Sequence, residues 1–224
     1  MTLYLSSFSL NRNASIAAIA SLINPSDSDA AADARHKLLW TVFGDGNAAQ
    51  TRDFLWRAEG KDGYIALSAR EPVQNDLFTP LRIRSFEPKL VAGDRLEFSL
   101  RANATKDKAG NAPGRRVDMV MDRLFPIPKD QRARHRPRIV QEVANDWLGS
   151  QGTRKGFSVI EASAEDYSQV TVPRKKGPGQ KLGIMDIQGT IEITDPALFL
   201  PAMAMGFGRG KAWGCGLMMI RRAA

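Results

Sequence analysis

Two G-x-G pairs, Gly206/Gly208 and Gly214/Gly216, enclose Arg209 and Lys211 in the segment GFGRGKAWGCGL near the end of this 224-residue chain. Glycine lets a backbone approach a ligand closely, and two cations in such a loop suit an anion. Nucleotide-binding patterns do not fit. Lys211 precedes Ala212, so the Ser/Thr that holds Mg²⁺ in a P-loop is missing, and no spacing gives G-x-G-x-x-G. The loop also leads from an apolar, helix-like stretch (196–205) into a strand-like one (217–220), whereas phosphate loops run strand to helix. A single G-x-G pair would read as a turn with solvated charges. Two pairs around cations point to a nucleic-acid backbone.

Proton-transfer chemistry has few candidates. Only His36 and His135 are histidines, and Cys215 is the one cysteine, so a His/Cys metal site is excluded and no metal ligand set or cofactor is expected. No D-x-D cluster accompanies the basic half, and no serine occupies a G-x-S-x-G elbow. His135 lies in QRARHRPR, where neighbouring cations disfavour its protonated form; the segment reads as an exposed loop or arm, with His135 either contacting phosphate or merely solvated. His36 sits one turn before Leu39 and Trp40, where a histidine commonly packs at a helix rim. Against an RNA partner it gains a second reading. A histidine near neutral pKa can take a proton from a ribose 2′-hydroxyl, or give one to a leaving 5′ oxygen, without a metal.

Charge supports such a partner. The chain has 32 Lys+Arg against 24 Asp+Glu, net +8; residues 1–91 carry ten of each sign, so the whole excess lies in 92–224. A lopsided surplus suits a phosphate-binding face. The single cysteine and the lack of a basic leader or a spanning apolar run predict a cytoplasmic protein with no membrane association, monomeric by itself.

The elements that must position these residues alternate. In the first half, residues 3–10 read as a strand, and Asn24-Pro25-Ser26-Asp27 opens a helix to about Val42. Residues 54–58 and 64–69 read as paired strands, and 81–86 as another strand after a short helical turn. In the second half, 95–104 alternates as a strand, 139–148 is a short amphipathic helix, and strand pieces fall at 157–160 and 170–172. The basic turn PRKKGPGQK then leads into a strand at 184–193, and Asp195-Pro196 opens a helix. Residues 106–136, polar and rich in Gly, Pro and Arg, predict nothing definite. The repeated order implies an α+β protein of two tandem ferredoxin-like (RRM-like) domains, 1–91 and 92–224. The strands lack the aromatic RNP1 pattern, which argues against single-strand binding on an RRM sheet.

Several segments together resemble the CasE family, the repeat-processing endoribonucleases of type I-E CRISPR systems: HKLLWTVFGD followed by RDFLWR, LEFSLRANATK, and GFGRGKAWGCGL. The last two carry most of the resemblance, which spans residue 35 to the C-terminus. It implies metal-independent cleavage at the base of a repeat hairpin in precursor RNA by 2′-hydroxyl attack. The products carry a 2′,3′-cyclic phosphate and a 5′-hydroxyl, and the protein then stays on the mature crRNA hairpin beside other Cascade subunits.

By resemblance His36 is the active-site histidine, and Lys176 takes an electrostatic role near the scissile phosphate. RNA contacts fall to Arg174 and Lys175 in the basic turn, with Lys181 closing it, to Arg101 and Lys106 around the strand motif, and to Gly206, Gly208, Arg209 and Lys211 in the glycine loop. One departure stands out: the family's tyrosine three residues before the histidine is Asp33 here, a carboxylate that would raise the His36 pKa and favour it as an acid. The alternative function is a non-catalytic RNA-hairpin-binding scaffold subunit in which His36 only packs.

Overall fold

The computed structural model describes residues 2–13, 28–44, 51–107, 116–173 and 179–223. Its first sheet joins β1 (Tyr4–Ser9), β2 (Phe54–Glu59), β3 (Gly63–Ser68) and β4 (Arg82–Ser85) in the order β2-β3-β1-β4. Its second joins β5 (Arg95–Ala102), β8 (Phe157–Val172), β9 (Gln180–Ile193) and β10 (Met218–Arg222) in the order β10-β5-β9-β8. All neighbours in both are antiparallel. Each sheet thus places its fourth strand beside its first and its third between first and second, which is the ferredoxin-like order. A short ribbon, β6 (Thr105–Asp107) with β7 (Arg116–Asp118), stands apart.

Among the described residues, the first unit packs helix α1 (Ser28–Phe43) on its sheet. Leu38, Leu39, Val42 and Phe43 fall three and four residues apart and bury against Phe8, Phe54, Trp56, Tyr64 and Phe78. No helix fills the connection from β3 to β4, where a short helical turn was expected. Pro72 and Pro80 disfavour one, and the Asn75 side chain accepts from Leu77 N at 3.0 Å, closing a polar turn instead. Leu55, Leu5 and Leu67 leave the opposite face of this sheet to meet Leu217, so the first unit is apolar on both sides and docks on the second.

The second unit adds α2 (Met119–Leu124), α3 (Arg132–Lys155) and α4 (Pro196–Met205). Helix α3 has 24 residues, far longer than the 139–148 expected. Pro137 and the arginine run hid its start, placing His135 on a half-buried helical turn rather than in a loop. Within the helix a Cβ at Gly152 would come within 2.3 Å of the Phe157 carbonyl, so glycine admits the incoming strand. Gly156, with φ 74°, ends the helix. Strand β8 is continuous over 16 residues, where two pieces were expected; register shifts between Val159/Glu161 and Glu165/Tyr167 and two largely solvated faces mask its alternation. Asp195 caps α4 through Ala197 N at 2.8 Å, with Pro196 in the first turn, as the sequence indicates.

Candidate active site

The glycine loop closes on its own chain. Phe207 N donates to the Gly216 carbonyl at 2.9 Å and Gly216 N to the Arg101 carbonyl at 2.8 Å, while Asn103 forms a bridge with Arg209. The buried Asn103 side chain donates to the Gly183 carbonyl at 2.7 Å, fastening the end of β5 to β9. Gly208 shows what the glycines do. Its φ is 74°, and a Cβ there would approach the Trp147 ring at 2.8 Å and the Asn103 carbonyl at 2.9 Å. The close approach that the sequence assigns to a ligand is thus an internal one. Gly206 is buried, with its N bonded to the Ala202 carbonyl and its own carbonyl accepting from Lys155 Nζ at 3.2 Å.

The loop's middle, a short 3₁₀ turn at Lys211–Trp213, lies against α1. There the Trp213 ring sits 5.2 Å from the His36 ring, and Trp40 stands edge-on at 6.4 Å. His36 Nδ1 is buried and has no hydrogen-bond partner among the described residues. Burial lowers the His36 pKa below 6.5, and the Arg52 guanidinium adds to that; Asp33 and the Ala212 backbone push the other way and lose. Asp33 is engaged by Lys37 at 2.5 Å, one turn on. It does pull the imidazole pKa upward, as the sequence argument had it, but the net direction is down, so His36 is a neutral imidazole at neutral pH. A neutral ring is equipped to accept a proton.

Arg52 also links His36 to a run of cations along the loop. Burial lowers the pKa of Lys211, and Arg52 and Arg209 lower it further. Lys155 is brought down to about 8 by burial and by Lys211 and Arg154; its ammonium lies 4.4 Å over the Phe207 ring. Mutually destabilised cations form a site in which an anion relieves the repulsion. Arg52 and Lys155 belong to this site and were not picked out from the sequence. Arg52 stands in the RDFLWR segment and Lys155 in the last turn of a helix, where a cation is ordinary.

The other sequence-derived residues are placed as follows. Arg101 forms a two-pronged bond with Asp186, 2.9 Å and 2.7 Å, and Lys106 pairs with Asp122 at 2.7 Å. Arg209 and Lys211 share one face of the loop, Gly208 lies between that loop and Trp147, and Lys181 is exposed on the outer half of the β8–β9 hairpin. Arg174, Lys175 and Lys176 lie outside the described residues, at the turn joining Val172 to Gln180. Cys215 is fully buried inside the loop, its thiol pushed up to about 12. Among the described residues no group of three or more His, Cys, Asp or Glu could hold a metal ion, and no helix is long and apolar enough to cross a membrane.

Known proteins resemble the chain in sequence and in fold. A CRISPR-associated endoribonuclease, Cse3 of Thermus thermophilus, is 29% identical over 148 residues, which cover 61% of this chain and 60% of that protein. A structure of Thermus thermophilus Cse3 bound to an RNA representing a pre-cleavage complex superposes with TM-score 0.69 at 24% identity, over 99% of this chain and 100% of that one. The crystal structure of the CRISPR-associated protein Cas6e from Escherichia coli gives 0.64 at 21% identity, over 98% and 100%. At such identities the superpositions speak for the two-unit ferredoxin-like fold. The family model for CRISPR associated proteins matches residues 3–222, nearly the whole chain. The chain therefore belongs to the CRISPR associated protein family, as a member of its CasE group.

Proposed function

We propose that this protein is a metal-independent endoribonuclease that cuts precursor RNA at the base of repeat stem-loops and stays on the product hairpin as a Cascade subunit. One observation carries the reading: a buried, neutral imidazole held against a glycine loop, with Arg52 acting on both it and Lys211, and with Asp33 engaged by a lysine. The name of the Thermus thermophilus relative, an endoribonuclease, agrees with it.

In this reading His36 takes the proton of the 2′-hydroxyl. The 2′ oxygen bonds to the adjacent phosphorus, the bond from phosphorus to the 5′ oxygen breaks, and water returns a proton to that oxygen. The ends are a 2′,3′-cyclic phosphate and a 5′-hydroxyl. Arg52, Lys211 and Lys176 neutralise the charge that gathers on the phosphoryl oxygens. Arg101 and Lys106 then act mainly by shaping the loop and its surroundings, since their charges are already paired. Gly206, Gly208 and Arg209 hold and furnish the same loop. Arg174, Lys175 and Lys181 grip the stem from the hairpin end.

A second reading, an RNA-hairpin-binding scaffold without catalysis, is favoured by one observation: His36 Nδ1 is buried beneath Trp213. Labelled repeat RNA incubated with protein in EDTA separates the two. Cleavage with a cyclic-phosphate end is expected. His36→Ala should reduce it by about 10²-fold or more at nearly unchanged stem-loop affinity. Cutting within a few-fold of the unaltered protein would falsify the role of His36, and a requirement for Mg²⁺ would point to a carboxylate–metal nuclease.

A further inference from the structure

Beside the glycine loop lies a cleft of about 670 Å³ whose lining does not include His36. Its walls are the last turns of α3, helix α4, the β6–β7 ribbon and the loop itself. Six cations line it: Lys106, Arg116, Arg154, Lys155, Arg209 and Lys211. Its two carboxylates are already engaged, Asp107 by Arg116 at 2.7 Å and Asp146 by Arg123 at 2.5 Å. Arg154, Lys155, Arg209 and Lys211 form no ion pair with any described residue. The free charge is therefore positive, and it continues through Lys211 to the Arg52–His36 side.

The opposite wall has different chemistry. Helix α4 contains no charged residue, and Leu198, Pro201 and Met205, spaced by three and four, turn one face to the cleft. Leu198 is 50% and Met205 71% exposed, unusual for apolar side chains on a helix whose other side holds the buried Phe199 and Met203. A cationic wall facing an apolar one suits a chain with phosphates on one edge and flat, apolar faces on the other. A cleft this size matches a few small groups and excludes an A-form stem.

We propose that this cleft binds single-stranded RNA flanking the repeat stem, with phosphates on Arg154 and Lys155 and an unstacked base on the Leu198–Met205 face of α4. The assignment rests on the functional reading above and adds a second contact area to it. Lys211 belongs to both sides of the loop, so the strand entering the cleft adjoins the scissile phosphate. An acidic, apolar protein segment is the competing occupant; the continuity of cations with the His36 side favours RNA.

The test compares three RNAs on the unaltered protein: a blunt stem-loop, one with a 5′ single-stranded flank and one with a 3′ flank. One flank should strengthen binding and steepen the salt dependence of affinity by about 0.7 per phosphate held. Arg154→Ala should remove about 0.7 of that added slope. Met205→Glu, on an exposed position, should weaken the flanked RNA by about tenfold. Both variants should leave the blunt stem-loop alone. If neither flank adds affinity, or the variants weaken blunt and flanked RNA alike, the cleft assignment is overturned and the functional reading stands. Flank-independent RNA binding with loss of complex assembly in Met205→Glu would overturn it in favour of a protein partner. Failure of the unaltered protein to bind any stem-loop would sink the functional reading, and this assignment with it.

Discussion

His36 combines two conditions that rarely coexist: removal from water and proximity to several cations. Both disfavour its protonated form, so the imidazole resists protonation at a pH where a free one accepts it. As a base, His36 should give a cleavage rate that rises with pH through its lowered pKa and levels off by neutrality. Arg52→Ala should shift that rise upward, towards about 6.5, and slow the plateau. A single-turnover pH profile reads both effects; an unmoved midpoint would show that Arg52 does not act on the imidazole. Stability follows the same sign. Between the lowered folded pKa and about 6.5 the unfolded chain binds a proton that the folded one refuses, so stability falls as pH drops through that window. His36 and the loop cations stood out in the sequence because the chain has two histidines and the paired glycines mark one segment. Arg52 was not: an arginine beside an aspartate looks ordinary until the fold sets it against the histidine.

Among the elements, those with one buried face could be read and those with two wet faces could not. β2, β3 and β5 alternate or run apolar because each has a core beneath it. The long β8–β9 hairpin extends beyond the strand beside it, and Val172, Leu182, Ile184 and the nearby Cys215 form a small core under its outer half. The basic residues 174–176, outside the described residues, fall in the sequence between its two strands, shortly before the exposed Lys181. From that place in the sequence, the segment should act on binding before chemistry. The Arg174→Ala/Lys175→Ala variant should weaken stem-loop affinity and reduce the salt slope by roughly 0.7 to 1 for each phosphate no longer neutralised. Lys176→Ala should also slow single-turnover cleavage at saturating protein. A filter-binding series in salt checks the first and a quench time course the second; an unchanged Arg174/Lys175 double variant would reduce the turn to a solvated hairpin tip.

At the scale of the molecule, two sheets of the same strand order divide the work. The first lends a helix with His36 and, just before β2, Arg52; the second lends the loop with its own cations and the hairpin. The repeated order of elements was readable because turns that use glycine, proline and asparagine mark off the strands and helices. The docking between the units was not readable. It depends on Leu5, Leu55 and Leu67 leaving the far side of the first sheet for Leu217, a choice of partner that alternation along one strand cannot announce.

The glycine loop that joins the units encloses the chain's one thiol. Cys215 is 0% exposed and its thiol is pushed up to about 12, so a folded molecule offers an alkylating reagent neither access nor thiolate. Labelling must wait for the loop to part from its neighbours, and its rate becomes a clock for that opening. Without any engineered probe, the rate of thiol modification should be slow in the free protein and slower still when stem-loop RNA is bound across Arg209 and Lys211. Mass spectrometry of time-quenched samples would count the openings; RNA that left the rate untouched would mean that the loop keeps its shape without help from its ligand.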